Sequence, residues 1–387
     1  MKQSVKDILA DNFWIMPATP EYIDKGVPYI TSKNIKNGTI DFSKVNYISQ
    51  EDYENISKNR PILVGDILIS MIGTLGETAE VKRSDGLFYG QNMYLVRIDE
   101  SKVNKRYFLN FFKSNCVKCA LEGKQNQSTQ KYLKANHIED LIIPVPDVTK
   151  QELIAKQLDK LAYIIALRTN ELKQLDELIK ARFVEMFGDL ITNPKGWDIV
   201  ELGELTDIGS SKRIFEKEYV SEGIPFYRTK EIVELSKGNS VSTELFITEE
   251  RFAEIKEKYG APKNGDLLIS AVGTIGVIWI VDGKNDFYFK DGNLIRVDGS
   301  EKFNSVYMKN LLEYLIDGYK KQMSTGTAYA ALTISGLTKM KVYDIPMELQ
   351  NKFADFVYQV DKSKVAVQKA LDETQLLFDS LMQQYFG

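Results

Sequence analysis

The chain has 387 residues, 43% of them hydrophobic, and a formal net charge of −4. This length predicts two or three domains, and the mildly acidic balance is not typical of a general nucleic-acid binder. No run of about 18 apolar residues predicts a membrane span, the opening residues lack the apolar core of a signal peptide, and two cysteines make no disulfide framework. We therefore expect a cytoplasmic protein.

The first part of the chain predicts a mixed α and β domain. Residues 66–72 and 91–98 are typical of strands, and residues 105–121 predict a helix. Between residues 102 and 134, eight Lys and Arg face a single acid, Glu122. A basic stretch on an acidic protein can bind phosphates locally, although a solvated lysine-rich surface would look the same.

Several polar segments of this domain carry side chains suited to DNA. Asn and Gln fit adenine, Arg and Lys fit guanine and phosphate, and Ser and Thr fit either. The turn Gly73-Thr74-Leu75-Gly76 has two interpretations, a tight link between strands or an approach to a DNA phosphate. The DNA-binding candidates in this half are Thr31, Ser32, Lys33, Asn34, Lys36, Thr74, Gln91, Lys124, Gln125, Asn126, Gln127, Ser128 and Lys131.

A long helix follows at residues 151–188, which contain no Pro and no Gly before Gly188. Its apolar residues recur in steps of three and four, as in a coiled-coil seam, and Arg168 breaks the seam once. Such a helix, roughly 55 Å long at about 1.5 Å per residue, needs another helix to cover its apolar side. The predicted seam consists of Ile154, Leu158, Leu161, Ile165, Leu172, Leu175, Ile179, Phe183 and Met186.

After a linker at residues 193–197, the chain repeats itself. Residues 26–30, 65–70, 73–76 and 95–99 recur as 223–227, 265–270, 273–276 and 294–298. The polar segments differ between the copies, which predicts two related sites that read different things. The candidates of the second half are Arg228, Thr229, Lys230, Thr274, Asn293, Ser324 and Thr325.

A second long helix, residues 348–387, mirrors the first at an offset of 199 residues, and both end in Phe-Gly. Lys364 breaks its seam, as Arg168 breaks the other. Its predicted seam consists of Phe353, Val357, Val360, Val367, Leu371, Leu377, Leu381 and Tyr385.

The residues point away from catalysis and metal binding. His137 is the single histidine, and Cys116 and Cys119 have no second pair to complete a zinc site. The Gly73 turn is no phosphate-binding Walker loop. Asn193-Pro194 is followed by Lys-Gly, unlike a DNA methyltransferase motif.

The order of these motifs, present twice, resembles the DNA-specificity (S) subunits of type I restriction–modification systems. Gly-Asp-(Ile/Leu)-Leu-Ile-Ser followed by Gly-Thr-x-Gly is similar to the framework of their target recognition domains. Residues 197–209 are similar to the opening of such a domain, and Ile143-Pro144-Val145-Pro146 to the start of its spacer helix. Two departures are a first half without a Trp-containing opening and a shorter proline motif at Ile345-Pro346-Met347.

The resemblance implies an α+β protein with two mixed α/β target recognition domains in tandem pseudo-repeat, separated by two long helices packed as an antiparallel coiled coil. The expected domains are residues 1–148, 149–190, 191–346 and 347–387, alternating recognition domain and helix.

Each recognition domain would read one half of a split target in double-stranded DNA. The helices would set the spacer and dock two methyltransferase subunits, and through them motor–nuclease subunits. S-adenosylmethionine, ATP and Mg²⁺ would belong to those partners, with no cofactor, metal or catalytic residue in this chain. Two alternatives stay open: a coiled-coil scaffold that binds proteins only, and the recognition module of a self-contained DNA methylase.

Overall fold

The computed structural model describes residues 1–16, 20–73, 75–123, 132–189, 192–323 and 332–387. These residues form two compact units. The first consists of Met1–Asn170 together with Gln368–Gly387, and the second of Glu171–Val367. Among the described residues, no helix combines the length and the apolar character needed to cross a membrane.

The first unit is built on a four-stranded antiparallel sheet in the order β2-β10-β7-β8 and a three-stranded sheet in the order β6-β3-β9. Two-stranded ribbons pair β1 with β11 and β4 with β5. The strands are β1 (Lys2–Ser4), β2 (Leu9–Ile15), β3 (Val27–Thr31), β4 (Ile35–Lys36), β5 (Thr39–Ile40), β6 (Asn46–Ile48), β7 (Ile67–Ser70), β8 (Thr78–Glu80), β9 (Tyr89–Gln91), β10 (Met93–Ile98) and β11 (Ile142–Pro144). The helices are α1 (Gln50–Ser57), α2 (Lys105–Phe112), α3 (Asn115–Gly123), α4 (Ala135–Glu139) and the start of α5 (Val148–Phe187).

The second unit repeats this plan, with sheets in the orders β13-β19-β16-β17 and β15-β14-β18 and a ribbon of β12 with β20. Its strands are β12 (Ile199–Glu201), β13 (Ile208–Gly209), β14 (Ile224–Tyr227), β15 (Phe246–Ile247), β16 (Leu267–Ser270), β17 (Ile278–Ile280), β18 (Tyr288–Phe289), β19 (Leu294–Val297) and β20 (Lys341–Tyr343). Its helices are α6 (Leu202–Leu205), α7 (Thr229–Ser236), α8 (Glu249–Tyr259), α9 (Ser305–Met323), α10 (Ile334–Thr338) and the start of α11 (Met347–Phe386). The shared strand orders confirm the tandem repeat.

The two units differ after the first strand of their three-stranded sheets. In the first unit β4 and β5 are joined by Asn37 and Gly38, whose φ values of 51° and 78° are those of a tight hairpin turn. In the second unit the helix α7 takes this place. Its residues Val233-Glu234-Leu235 include good helix formers and no glycine, so the chain continues as a helix.

Residues 95–99 and 294–298 match in sequence, but their registers against the neighbouring strands β7 and β16 differ by two residues. Leu95 lies opposite Leu68 in the first unit, whereas Arg296 lies opposite the equivalent Leu268 in the second. A shift of two keeps each side chain on the same face of a strand, so the sequence similarity and the sheet geometry are both satisfied. The similarity alone therefore could not reveal the shift.

This shift changes the partner of a buried aspartate at the start of β7 and β16. Arg97 holds Asp66 with two hydrogen bonds, Nε to Oδ1 at 2.7 Å and Nη2 to Oδ2 at 2.9 Å. Arg296 instead pairs with Asp298 at 2.6 Å and stays 4.0 Å from Asp266. Asp266 relies on the backbone amides of residues 263 and 299, and burial raises the pKa of its carboxyl.

The predicted helix at 105–121 is interrupted, and so is the predicted strand at 91–98. α2 ends at Phe112, and α3 restarts behind Ser114, whose Oγ accepts a hydrogen bond from Val117 N at 3.3 Å. Serine competes with the helix backbone in this way. Asn92 adopts φ 63° and separates β9 from β10.

The helices α5 and α11 pack together in an antiparallel sense, as expected. In the first unit Ile154 and Leu158, near the start of α5, share a core with Met382 and Phe386 at the end of α11. In the second unit Phe183, near the end of α5, lies 5.4 Å from Phe353 near the start of α11.

Both polar breaks in the seam make contacts across it. Arg168 donates hydrogen bonds to Ala370 O and to Thr374 Oγ1. Lys364 Nζ lies 2.6 Å from Asp176 Oδ1. The helix–helix interface therefore combines apolar packing with polar links.

One predicted seam residue is wrong. Leu377 is 50% exposed, whereas Thr374 is buried and Phe378 packs against the first unit's core. The seam steps from Leu371 by three to Thr374 and then by four to Phe378. The hydroxyl of Thr374 donates to Ala370 O at 2.7 Å. Because its hydrogen bond is made within its own helix, this polar residue can be buried in the seam.

We predict that Phe386→Ala lowers the free energy of unfolding by about 3–5 kcal/mol. Phe386 is 2% exposed, and its ring lies 5.1 Å from Tyr107 and 5.8 Å from Phe111, so the substitution opens a cavity in the first unit. Urea unfolding followed by circular dichroism measures the change. Leu376→Ala is the control, because Leu376 is 73% exposed and its loss should cost less than about 0.5 kcal/mol. Equal effects of the two substitutions would contradict this packing.

Candidate nucleic-acid interface

One edge of the first unit brings several predicted residues together. β3 and β9 run parallel, and Thr31 lies opposite Gln91 at their ends. The next residue, Ser32, donates its hydroxyl to Asn92 O, which also accepts from Met71 N at 3.3 Å. Met71 directly follows β7 and leads into the Gly73 turn, so Thr31, Ser32 and Gln91 lie beside that turn. Thr74 lies outside the described residues.

The two residues that follow the basic polar segment of the first half lie at the same edge. Leu133 N donates to Met71 O at 2.9 Å, and Tyr132 forms a bridge with Ile72. Tyr132 and Leu133 therefore lie beside the residues that directly follow β7. The predicted residues Lys124, Gln125, Asn126, Gln127, Ser128 and Lys131 themselves lie outside the described residues.

Within the 31–36 segment the side chains divide into buried and exposed groups. Asn34 is 8% exposed; its Nδ2 donates to Asp41 O at 2.8 Å and to Lys44 O at 3.0 Å, and its Oδ1 accepts from Thr31 N at 2.9 Å. Lys33 is exposed, and so is Lys36, which pairs with Asp41 at 3.1 Å. Asn34 therefore shapes the segment, and the lysines face solvent.

The second unit has the corresponding edge. Tyr227, the last residue of β14, lies opposite Phe289 of β18 in a parallel pair, and its carbonyl accepts from Lys290 N at 2.9 Å. Ala271, after β16, donates to Asn293 O at 2.8 Å and accepts from Leu332 N at 3.2 Å. Asn293 and Leu332 thus occupy the places of Asn92 and Leu133.

The remaining candidates of the second half lie at this edge or outside the described residues. Arg228, Thr229 and Lys230 follow β14 at the start of α7, and Lys230 is exposed. Thr274 is exposed in the turn between Gly273 and Gly276, whose φ values of 77° and 78° favour glycine. Ser324 and Thr325 lie outside the described residues.

Arg228 is held by a buried acid. Its backbone N donates to Glu231 Oε2 at 2.8 Å, and its Nη2 donates to Glu231 Oε1 at 3.1 Å. The hydrogen bond with Glu231 raises the pKa of Arg228, so the guanidinium keeps its charge. A positive fork of N–H donors therefore lies at the end of β14.

A group of functional candidates in the second unit was not identified from the sequence. Ser210, Ser211, Asp291 and Thr333 contribute the polar part of the wall of an open cavity of about 350 Å³ at this edge. Arg213 Nε lies 2.7 Å from Asp291 Oδ2 and keeps 67% of its side chain exposed. The signal was the polar and basic run at residues 210–213, directly after the opening segment of the second half.

The structure shows hydrogen-bonding groups and cations at both edges. Within the described ranges, no three or more His, Cys, Asp or Glu residues group together in a way that could hold a metal ion. His137 caps the start of α4 through a hydrogen bond from Lys134 N to Nδ1 at 3.3 Å. Cys116 and Cys119 are both exposed free thiols.

Comparison with known proteins identifies the architecture. Residues 14–177 and 194–374 both match the family described as the type I restriction modification DNA specificity domain. The chain belongs to this family. The resemblance noted from the sequence is thereby confirmed, and so are the tandem α+β fold and the class of a type I specificity subunit.

Individual relatives agree. A putative type I restriction enzyme specificity subunit of Haemophilus influenzae is 28% identical over 75% of this chain and 73% of its own length. A putative MjaX specificity subunit of Methanocaldococcus jannaschii is 24% identical over 89% of this chain and 84% of its own length.

A solved S subunit of a type I restriction–modification system from M. genitalium has the same fold, with a TM-score of 0.58 at 15% identity over 100% of this chain and 96% of that one. A structure that describes assembly and conformational transition of a type I system also has a TM-score of 0.58, at 17% identity over 100% of this chain and 97% of that one.

We predict that two neighbouring residues of the first unit have separable roles. Asn34→Ala should lower the free energy of unfolding by about 2–3 kcal/mol, because it leaves buried backbone groups without partners. Lys33→Ala should change it by less than about 0.5 kcal/mol but lower the salt dependence of DNA binding by about one counterion. Urea unfolding and binding titrations at several salt concentrations measure both. A lower free energy of unfolding in Lys33→Ala, or an unchanged one in Asn34→Ala, would contradict these separate roles.

Proposed function

We propose that this protein is the DNA-specificity subunit of a type I restriction–modification complex in which each unit reads one half of a split target. The observation that carries the proposal is the doubled frame with different polar residues at equivalent places. Thr31 and Arg228 occupy the same position, as shown by the matching hydrogen bonds from their backbone amides to Asn34 and Glu231. The backbone arrangement at this position is the same in both units, but the side chains at the ends of β3 and β14 differ.

The proposed readout differs between the units. The first unit offers Thr31 and Gln91 beside two exposed lysines, a set that fits base edges and phosphates. The second unit offers Arg228, Lys230 and the cavity lined by Ser210 and Thr333. We propose that residues 124–131, Thr274, Asn293, Ser324 and Thr325 complete these surfaces.

The proposed partners follow from exposed apolar side chains on the long helices. Tyr163 and Leu167, one helical turn apart in the first unit, are 64% and 49% exposed. Tyr358 and Val365, two turns apart in the second unit, are 68% and 70% exposed. Exposed apolar groups that recur on one helical face favour protein docking. The proposed occupants are two methyltransferase subunits, which would supply S-adenosylmethionine chemistry and recruit ATP- and Mg²⁺-dependent motor–nuclease subunits in the cytoplasm.

We predict that exchanging residues 1–148 for the recognition domain of another specificity subunit changes one half of the modified DNA target only. The donor must keep aromatic residues at the places of Tyr107 and Phe111, because Phe386 packs on them. Mapping modified bases in the genome of the expressing cell identifies both halves. Exchange of residues 191–346 is the reciprocal control and should change the other half. A change of both halves in either hybrid would argue against modular reading.

We predict that the spacer between the two half-targets lengthens when both long helices are lengthened. Each long helix runs unbroken from one unit into the other. Inserting one heptad into both helices, after Asn170 and after Val367, keeps the apolar periodicity and adds about 10 Å. At about 3.4 Å per base pair, the unread spacer should lengthen by roughly three base pairs in the mapped target. An unchanged spacer in a folded, active protein would show that the helices do not set the spacer length.

A further inference from the structure

The two units make the same backbone hydrogen bond at equivalent positions, but with different accepting side chains. In the first unit Asn34 Oδ1 accepts from Thr31 N at 2.9 Å, and in the second Glu231 Oε2 accepts from Arg228 N at 2.8 Å. Both accepting side chains are buried, at 8% and 1% exposure. A neutral amide is therefore sufficient to hold the backbone here, and the carboxylate of the second unit must be explained by something else.

That explanation lies in the second oxygen of Glu231. Oε1 accepts from Arg228 Nη2 at 3.1 Å, while 39% of the Arg228 side chain stays exposed. The Arg228 Nε is buried and finds no hydrogen-bond partner in the described part of the chain. A buried carboxylate is costly unless it is paired, so Glu231 and Arg228 depend on each other. A guanidinium has five N–H donors, and this contact uses one.

We propose that Arg228 reads a guanine in the half-target of the second unit and that Glu231 is the positioning residue that orients its guanidinium. This inference rests on the proposed function and assigns a base and a residue to it. Arginine donates two parallel hydrogen bonds to O6 and N7 of guanine in the major groove. A side chain held at one end by a buried acid presents that fork with less loss of rotamer entropy on binding.

The surrounding charge favours a guanine over a phosphate. Glu231 is in direct contact with Arg228, and Glu244 is close enough to act on it electrostatically. Two carboxylates near one guanidinium repel an anionic phosphate, whereas the O6 and N7 atoms of guanine are neutral acceptors. Lys230, exposed and next in the chain, is the better phosphate contact.

The test uses the complex purified from its host with its native partner subunits. Wild-type protein and Arg228→Lys are assayed on the mapped target and on duplexes in which each guanine of that half-target is replaced in turn by 7-deazaguanine, which lacks the N7 acceptor. One replacement should weaken wild-type binding roughly tenfold to hundredfold. The same replacement should weaken Arg228→Lys less, because lysine keeps the charge but lacks the planar fork that holds two donors against O6 and N7.

Two further variants separate reading from charge and from folding. Lys230→Ala should weaken binding to all duplexes alike and lower the salt dependence by about one counterion. Glu231→Gln keeps an oxygen for the backbone N–H, as Asn34 does in the first unit, so its melting temperature should stay near the wild-type value. Its preference for guanine over 7-deazaguanine at the sensitive position should nevertheless fall severalfold. Loss of the backbone hydrogen bond alone would not produce this effect.

Three results would overturn the inference. The half-target read by the second unit contains no guanine; Arg228→Lys keeps the full 7-deazaguanine penalty; or Arg228→Ala loses affinity uniformly together with one counterion, as a phosphate contact would. In each case the proposed bipartite function survives. If the modified target does not depend on the second unit at all, the proposed function fails and this inference fails with it.

Discussion

The packing of α5 against α11 is the interaction on which the rest of the structure depends. Each unit contains one end of each helix, and in both units that pair completes the hydrophobic core. Phe386 fills the first unit beside Tyr107 and Phe111, and Phe187 fills the second beside Tyr307 and Phe353. Because these phenylalanines come from the ends of the helices, neither core is complete without a distant part of the chain.

This constraint explains why the two units are similar in sequence in their buried strands and helix seams and differ at the polar ends of β3 and β14. The buried strands, the Gly-Asp turns and the helix seams must all fit one packing solution, so both copies keep the same kinds of residue there. Thr31 and Arg228, at the ends of β3 and β14, are only partly buried, so the core does not restrict their side chains in this way. Asn34 and Glu231 both accept the same backbone hydrogen bond, which leaves room for a neutral side chain in one unit and an arginine in the other.

The differences between expectation and structure have local physical causes. Thr374 could not be recognised as a seam residue, because a hydroxyl satisfied by its own helix resembles a solvent-facing one in sequence. The two-residue shift of β19 relative to β10 preserves the face of every side chain, so the periodicity is the same before and after it. The cavity near Ser210 and Thr333 joins segments more than a hundred residues apart, and the polar and basic run at residues 210–213 marks only one of them in the sequence.

The sequence by itself determined the doubled plan, the two long helices and the family. These features rest on local periodicity and on motif order, which are written in the chain directly. Tertiary structure alone decided which polar residues support the frame and which remain exposed. Asn34 and Lys33 are adjacent polar residues in the sequence, yet one is buried among backbone carbonyls and the other faces solvent. Burial depends on contacts between distant segments, and no pattern within a single segment reports it.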